Sequence, residues 1–294
     1  MQKSLKFVLF ALTLIPFFAD AQSFYAVRRN RNLLVNAGSG IAYYQGDMVD
    51  PGELGALRPN VVIGAEYYFT SRISARAGVT WFQTAGSDKK ANDDRQERNL
   101  HFKSSNWELS ATGAISLIPL GTRFYQRPKV NLHGFVGVGI LYFNPKAKGP
   151  VGSADEDKWI PLQPLETELK KYSRFQPVIP FGLGARVKID PFFNVLIEGG
   201  YRKTFTDYLD DVSSTRYPDA TLLKSDLSRA MSDRRPEIGT QPARPTEVGK
   251  RGNPANDDGY FIGNITVQYF FPVEVFRNSQ RKLYNVKRKN TRRR

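Results

Sequence analysis

The side chains with the most chemical potential in this chain are few. It has two histidines in 294 residues, His101 and His133. A Ser–His nucleophile would need a serine on a neighbouring element, close to a rim that a lipid substrate could reach. His101 falls in a long polar stretch. His133 falls near the start of a segment of alternating hydrophobicity, where it is predicted to face inward and to serve as a hydrogen-bonding group. Asp207, Asp210 and Asp211, with Asp219 nearby, form an acidic run of the sort that binds calcium, but the run lacks the spacing and glycine of a calcium loop. Aspartate is also a common turn residue. Gly134, Gly137 and Gly139 sit inside a strand pattern and make room for bulky neighbours, so they do not read as a phosphate loop. No catalytic residue, cofactor or metal site is expected, and the chain is read as a non-enzyme.

Composition narrows the classes further. There is no cysteine, which removes disulfides, thiolate metal sites, cysteine nucleophiles and the acylated cysteine of a lipoprotein. The formal charge is +15, but nine of the basic residues lie in the last eighteen: Arg277, Arg281, Lys282, Lys287, Arg288, Lys289, Arg292, Arg293 and Arg294. Basic runs of this kind are solvated tails or interaction arms, and the rest of the mature chain carries only about +5. Nucleic acid and small-molecule substrates are therefore not expected; the tail is read as a partner-docking arm.

At the other end, Lys3 and Lys6 precede an apolar run that stops at Ala19-Asp20-Ala21. Charged start, short apolar stretch and small residues at the cleavage positions make residues 1–21 a secretory signal peptide. No later stretch approaches the roughly 18 apolar residues of a spanning helix.

What must position these groups is a set of eight segments with period-two hydrophobicity: Leu33–Gln45, then 60–69, 72–83, 106–118, 129–143, 177–189, 194–205 and 260–271. In the third, Ile73, Ala75, Ala77, Val79 and Trp81 share one face, and Ser74, Arg76, Gly78 and Thr80 the other. Connections alternate between short (70–71, 119–128, 190–193) and long (46–59, 84–105, 144–176, 206–259). This pattern predicts an all-β fold: an eight-stranded antiparallel transmembrane outer-membrane β-barrel over residues 22–271, with short periplasmic turns and long extracellular loops. An even strand count puts both termini in the periplasm, including a basic periplasmic tail over 272–294. Tyr43 and Tyr44, Tyr67 and Phe69, Trp81 and Phe82, Trp107, Tyr142 and Phe143, and residues 269–271 are expected to form interfacial aromatic girdles. Leu222, Leu223, Leu227 and Met231 predict a short helix within 221–234 that caps the barrel mouth or lies beside it.

An eight-stranded barrel has an interior that its own side chains fill. Glu66, Arg76, Glu108, His133, Arg186, Glu198 and Arg202 are predicted to point inward. Opposite charges in so small a space should pair, giving a lumen charge network in place of a pore.

The run from Tyr201 through Arg202-Lys203-Thr204-Phe205-Thr206-Asp207-Tyr208-Leu209-Asp210-Asp211-Val212 to Ser213 resembles a signature of small Bacteroidetes outer-membrane barrels, the PorG family of the type IX secretion system. Met231-Ser232-Asp233-Arg234, and the stretch from Arg251-Gly252-Asn253-Pro254 to Asp258-Gly259-Tyr260-Phe261, are similar to later landmarks of that family. The resemblance implies a structural component of the secretion system whose partners are the PorK lipoprotein and PorN of a periplasmic ring. The arginine-rich extension beyond Phe271 departs from barrels that stop at a terminal aromatic. Two other readings fit a small barrel: surface loops that bind an external ligand, and a lipid-modifying enzyme.

Overall fold

The computed structural model describes residues 31–50, 52–91, 95–121, 123–240 and 251–271. The stretches read as a signal peptide, 1–21, and as a basic tail, 272–294, lie outside the described residues. Alternating sequence becomes strand because each pleated residue points opposite to the last, and eight long strands form a closed antiparallel barrel. They are β1 (Leu33–Gln45), β2 (Arg58–Tyr68), β3 (Ile73–Ser87), β4 (His101–Ser116), β5 (Val130–Tyr142), β8 (Phe175–Lys188), β9 (Phe193–Thr204) and β10 (Gly259–Phe271). Neighbours pair in chain order, and β1 pairs with β10 from Leu33↔Phe271 to Gln45↔Gly259, which closes the circle.

Two strands fall within a connection that the sequence pattern left as loop. β6 (Pro145–Lys148) and β7 (Trp159–Pro161) form a hairpin that pairs with the extended end of β4. β3 and β4 both run past their predicted limits, pairing as far as Ser87↔His101. His101 is thus a strand residue, contrary to its placement in a loop. The predicted helix at 221–234 is shorter than its apolar spacing suggested. Only α2 (Asp226–Ser232) is α-helical, because the Ser225 side chain accepts from the Ser228 amide and starts the helix there. A further single turn, α1 (Arg95–Arg98), precedes β4.

Outward-facing residues between the two ends are apolar and bare, among them Val138 (66 % exposed), Leu183 (73 %) and Ile265 (61 %). A soluble monomer does not expose a continuous belt of this kind. Two aromatic rows bound it. Trp81, Trp107, Tyr142 and Phe175 pair in succession across β3, β4, β5 and β8 at the long-loop end. Tyr67, Phe193, Tyr269 and Phe271 mark the short-turn end. Along β4, Trp107 to Ile115 spans about 27 Å of strand, or about 21 Å of height at a tilt of ~40°, close to the apolar band of transmembrane barrels. Among the described residues no helix is long and apolar enough to cross a membrane; the crossing is made by strands.

The girdle reading needs one correction. Tyr44, Phe82, Phe143 and Phe270 are at most 1 % exposed and point inward. Adjacent residues of a strand cannot share a face, so only one ring of each neighbouring pair reaches the interface. Arginine at the lipid-facing position of Val138 should lower barrel stability by about 2–4 kcal/mol. Equilibrium urea unfolding of the Val138→Arg variant in lipid vesicles measures this, and an unchanged midpoint would contradict the lipid-facing assignment.

Candidate functional site

The interior is built in three tiers. At the short-turn end, Phe124 and Phe192 fold under the barrel against Leu34, Tyr68 and Phe270. Arg127 fixes this floor: its guanidinium donates to Asn194 Oδ1 at 2.7 Å and to the carbonyls of Phe124, Asp190, Pro191 and Phe193 at 2.8–3.0 Å, and lies over the Phe270 ring. Arg31 donates to the Phe270 carbonyl at 2.7 Å.

The middle tier holds the predicted charges. All seven side chains point inward, and they form two groups. In the first, Arg186 donates to both oxygens of Glu66 at 2.9 Å, Ser74 and Gln268 donate to the same carboxylate at 2.6 and 2.9 Å, and Tyr68 also bonds Arg186. Arg76 joins this pair to Glu198, donating at 2.6 and 2.9 Å, while His133 Nε2 lies 2.7 Å from Glu198 Oε1. The second group is Glu108, which accepts from Tyr260 at 2.8 Å and lies 3.5 Å from Arg202 Nε. Gly184 makes the first group possible, since a Cβ there would lie 2.6 Å from Glu198 Cγ and His133 Cε1. The space left between the groups is a cavity of about 50 Å³ lined by Asn36, Arg76, Phe135, Glu198, Arg202 and Asn264. That volume holds a few waters.

Above this, the long loops fold back into a cap with its own core of Tyr44, Phe82, Phe102, Phe143, Tyr172, Tyr208, Leu209, Val212 and Met231. Buried arginines tie the loops together. Arg98 donates to both oxygens of Asp88 at 2.6 and 2.7 Å and bonds the Arg251 carbonyl. Arg251 donates to Glu168 at 2.8 Å and to the Ser232 carbonyl. The acidic run is part of this framework. Asp211, held at φ 73°, accepts from Thr167 at 2.5 Å and Tyr172 at 2.7 Å. Asp210 Oδ2 and Asp258 Oδ1 both lie on the Tyr44 hydroxyl, at 2.8 and 2.7 Å. Their other oxygens accept the Val212 and Leu209 amides. Asp219 caps a separate exposed turn, and among the described residues no acidic or histidine group has the arrangement of a metal site.

A phenol has one proton, so Tyr44 can donate to only one of its two carboxyls. The other must carry a proton and donate to the phenol oxygen. Burial pushes both Asp210 and Asp258 well above the usual carboxylate range, with repulsion from Asp47 adding at Asp210 and from Asp210 and Asp207 at Asp258. Burial likewise raises Asp207 and Asp211 to about 7.

His133 is sealed in the lumen on Glu198, and His101 Nε2 accepts the Lys148 amide at 3.1 Å. Neither is paired with a serine among the described residues. The inward charges were legible because each sits on the polar face of an alternating strand. Arg127, Arg98 and Arg251 were not, since they lie in connections where no period assigns a direction. The nine basic residues from Arg277 to Arg294 lie outside the described residues.

Two outcomes follow from the geometry. Glu66→Ala leaves Arg186 buried without its carboxylate and should cost about 3–5 kcal/mol, most of it restored by adding Arg186→Met. Unfolding midpoints of the single and double variants decide this; a neutral single variant would show that the pair contributes nothing. For the cap, the folded state keeps carboxyl protons that the free groups lose near pH ~3.9. The stability they carry is complete below that value and declines as pH rises through about 7. Hydrogen exchange over 206–238, corrected for its intrinsic pH dependence, should therefore quicken from pH 6 to 9. Asp258→Asn supplies a permanent donor to Tyr44 and should flatten that rise; an identical profile in the variant would rule the shared proton out.

Neither a family model nor a curated protein matches the chain. Solved structures of outer-membrane barrels are similar to it at low identity. Neisserial surface protein A aligns at TM-score 0.40 with 9 % identity, over 81 % of this chain and 97 % of that one. Ail of Yersinia pestis, in complex with the heparin analogue sucrose octasulfate, aligns at 0.39 with 10 % identity, over 82 % and 99 %. OprG of Pseudomonas aeruginosa aligns at 0.39 with 8 % identity, over 84 % and 99 %. At these scores the likeness is to a kind of barrel, and the fold assignment rests on this chain's own closed ladder of eight strands.

Proposed function

We propose that the chain is a non-conducting structural component of the type IX secretion system, anchored in the bacterial outer membrane and docked to the PorK/PorN ring on its periplasmic side. The observation that carries the anchor reading is an interior closed at three levels: an aromatic floor, a paired-charge middle and a loop cap. A small barrel filled in this way offers a solute no path.

The secretion role is supported by the sequence resemblance and by where its pieces fall. The three stretches that resemble the PorG family are separated by loop chain yet meet in the cap. Asp210 and Asp258 share Tyr44, and Arg251 reaches the Ser232 carbonyl. Residues held this way act as framework, which fits a family defined by a structural role. In this reading the short turns and both termini face the periplasm, where Arg277 to Arg294 supply charge for a carboxylate-rich face of a ring protein.

Crosslinking and recovery of the barrel from membranes, with residues 277–294 present or deleted, tests the docking. Ring proteins should be recovered with the full chain and lost with the deletion, while the barrel still assembles. Recovery of none with the full chain, or equal recovery with both, would count decisively against docking by the tail.

A further inference from the structure

Past the upper aromatic row the barrel wall continues upward as a four-stranded sheet of β3, β4, β6 and β7, and its outer face carries an unusual pairing. Lys103 on β4 stands directly opposite Lys146 on β6, and directly opposed like charges destabilise a sheet. Lys148 follows two residues along β6, bonded through its amide to His101 and paired with Trp159 on β7. Lys103 Nζ lies 5.8 Å from the centre of the Trp159 ring, which also meets His101 edge-on. Flanking positions are small or apolar, Ala85 beside Lys103 and Pro161 beside Lys146. Of the three carboxylates at the hairpin tip, Asp155, Glu156 and Asp157, the first pairs with Lys158 at 2.7 Å and the second accepts the Gly152 amide at 2.9 Å. Among the described residues, no carboxylate forms an ion pair with Lys103, Lys146 or Lys148.

Height identifies what faces this patch. Lys103 is four residues beyond Trp107 on the same strand, about 13 Å along it and ~10 Å above the aromatic row at barrel tilt. The polar layer reaches only about 5–8 Å beyond the hydrocarbon, so the Lys103 backbone stands at its outer edge and the long side chain reaches down to where headgroup phosphates and their sugars lie. Three ammonium groups without counter-charge, beside an indole that is 42 % exposed, fit a phosphorylated glycolipid headgroup. We propose that the Lys103–Lys146–Lys148 face of β4 and β6 binds the phosphorylated sugar headgroup of an outer-leaflet lipid, with Trp159 as its stacking surface. The bound phosphate then lies between Lys103 and Lys146 and relieves their mutual repulsion. The inference rests on the loop end facing outward, as in the function proposed above.

The test uses the full-length protein in detergent micelles, titrated with bisphosphorylated lipid A, its dephosphorylated form, and phosphatidylglycerol, with binding read by native mass spectrometry. The bisphosphorylated form should bind on the order of tenfold more tightly than the dephosphorylated form, and the preference should fade as salt rises. Lys103→Gln with Lys146→Gln should remove the preference while leaving the unfolding midpoint unchanged or higher. Equal binding of all three lipids, or a double variant that still discriminates, would overturn the proposal. Binding of phosphatidylglycerol as tight as that of lipid A would assign the patch to phosphate alone and overturn the glycolipid assignment. Because the chain has no cysteine, Ala154→Cys at the exposed hairpin tip reports orientation separately, through a membrane-impermeant maleimide applied to whole cells. Labelling without lipid preference overturns the lipid site alone. Absence of labelling overturns the outward orientation and the site with it.

Discussion

Closing eight strands into a circle leaves no open edge, which is what a lipid environment requires of a sheet. The same closure sets an interior only as wide as the side chains that line it. Whatever lies inside must therefore be packed and, if charged, paired at close range. The Glu66–Arg186 pair meets this demand with two oxygens facing two guanidinium contacts, and Ser74, Tyr68 and Gln268 take up the remaining capacity. A carboxylate and a guanidinium are tolerated there because little of either is left unbonded. The filled lumen follows from strand number.

The ends of the barrel obey the same rule by different means. At the floor, two short turns push Phe124 and Phe192 inward, and one arginine satisfies the carbonyls that the turns leave exposed. At the cap, loops totalling more chain than several strands would be costly to order without a core. Tyr44, Phe82 and Phe143 supply one by extending the inward faces of β1, β3 and β5 upward into the loops. The aspartates of the cap then share protons instead of repelling one another, which links the firmness of this end to acidity.

The eight strands and the direction of each inward charge were legible because the pleat leaves no freedom: a residue's parity settles its face. Parity also exposes the error in the aromatic girdle, since Tyr43 and Tyr44, or Trp81 and Phe82, cannot both face lipid. Which inward residues meet was not legible. Glu66 and Arg186 are 120 positions apart, and their meeting depends on the stagger of four intervening strand pairings. The extension of β3 and β4 beyond the membrane, the β6–β7 hairpin and the buried arginines lay in polar stretches where strand, turn and helix share a composition. The helix within 221–234 is confined to its capped core because Ser225 ends the preceding chain more strongly than Leu222 and Leu223 extend the apolar stripe.

The seam between β1 and β10 joins nearly the first described residue to the last, Leu33 opposite Phe271, with Arg31 clasping Phe270 across 239 positions. Contacts of such long range return nothing until the whole chain is present, and the entropy of closing that loop must be met first. Before the final strand arrives, seven strands would present two raw edges and one greasy face. The polypeptide thus has no stable halfway form in water.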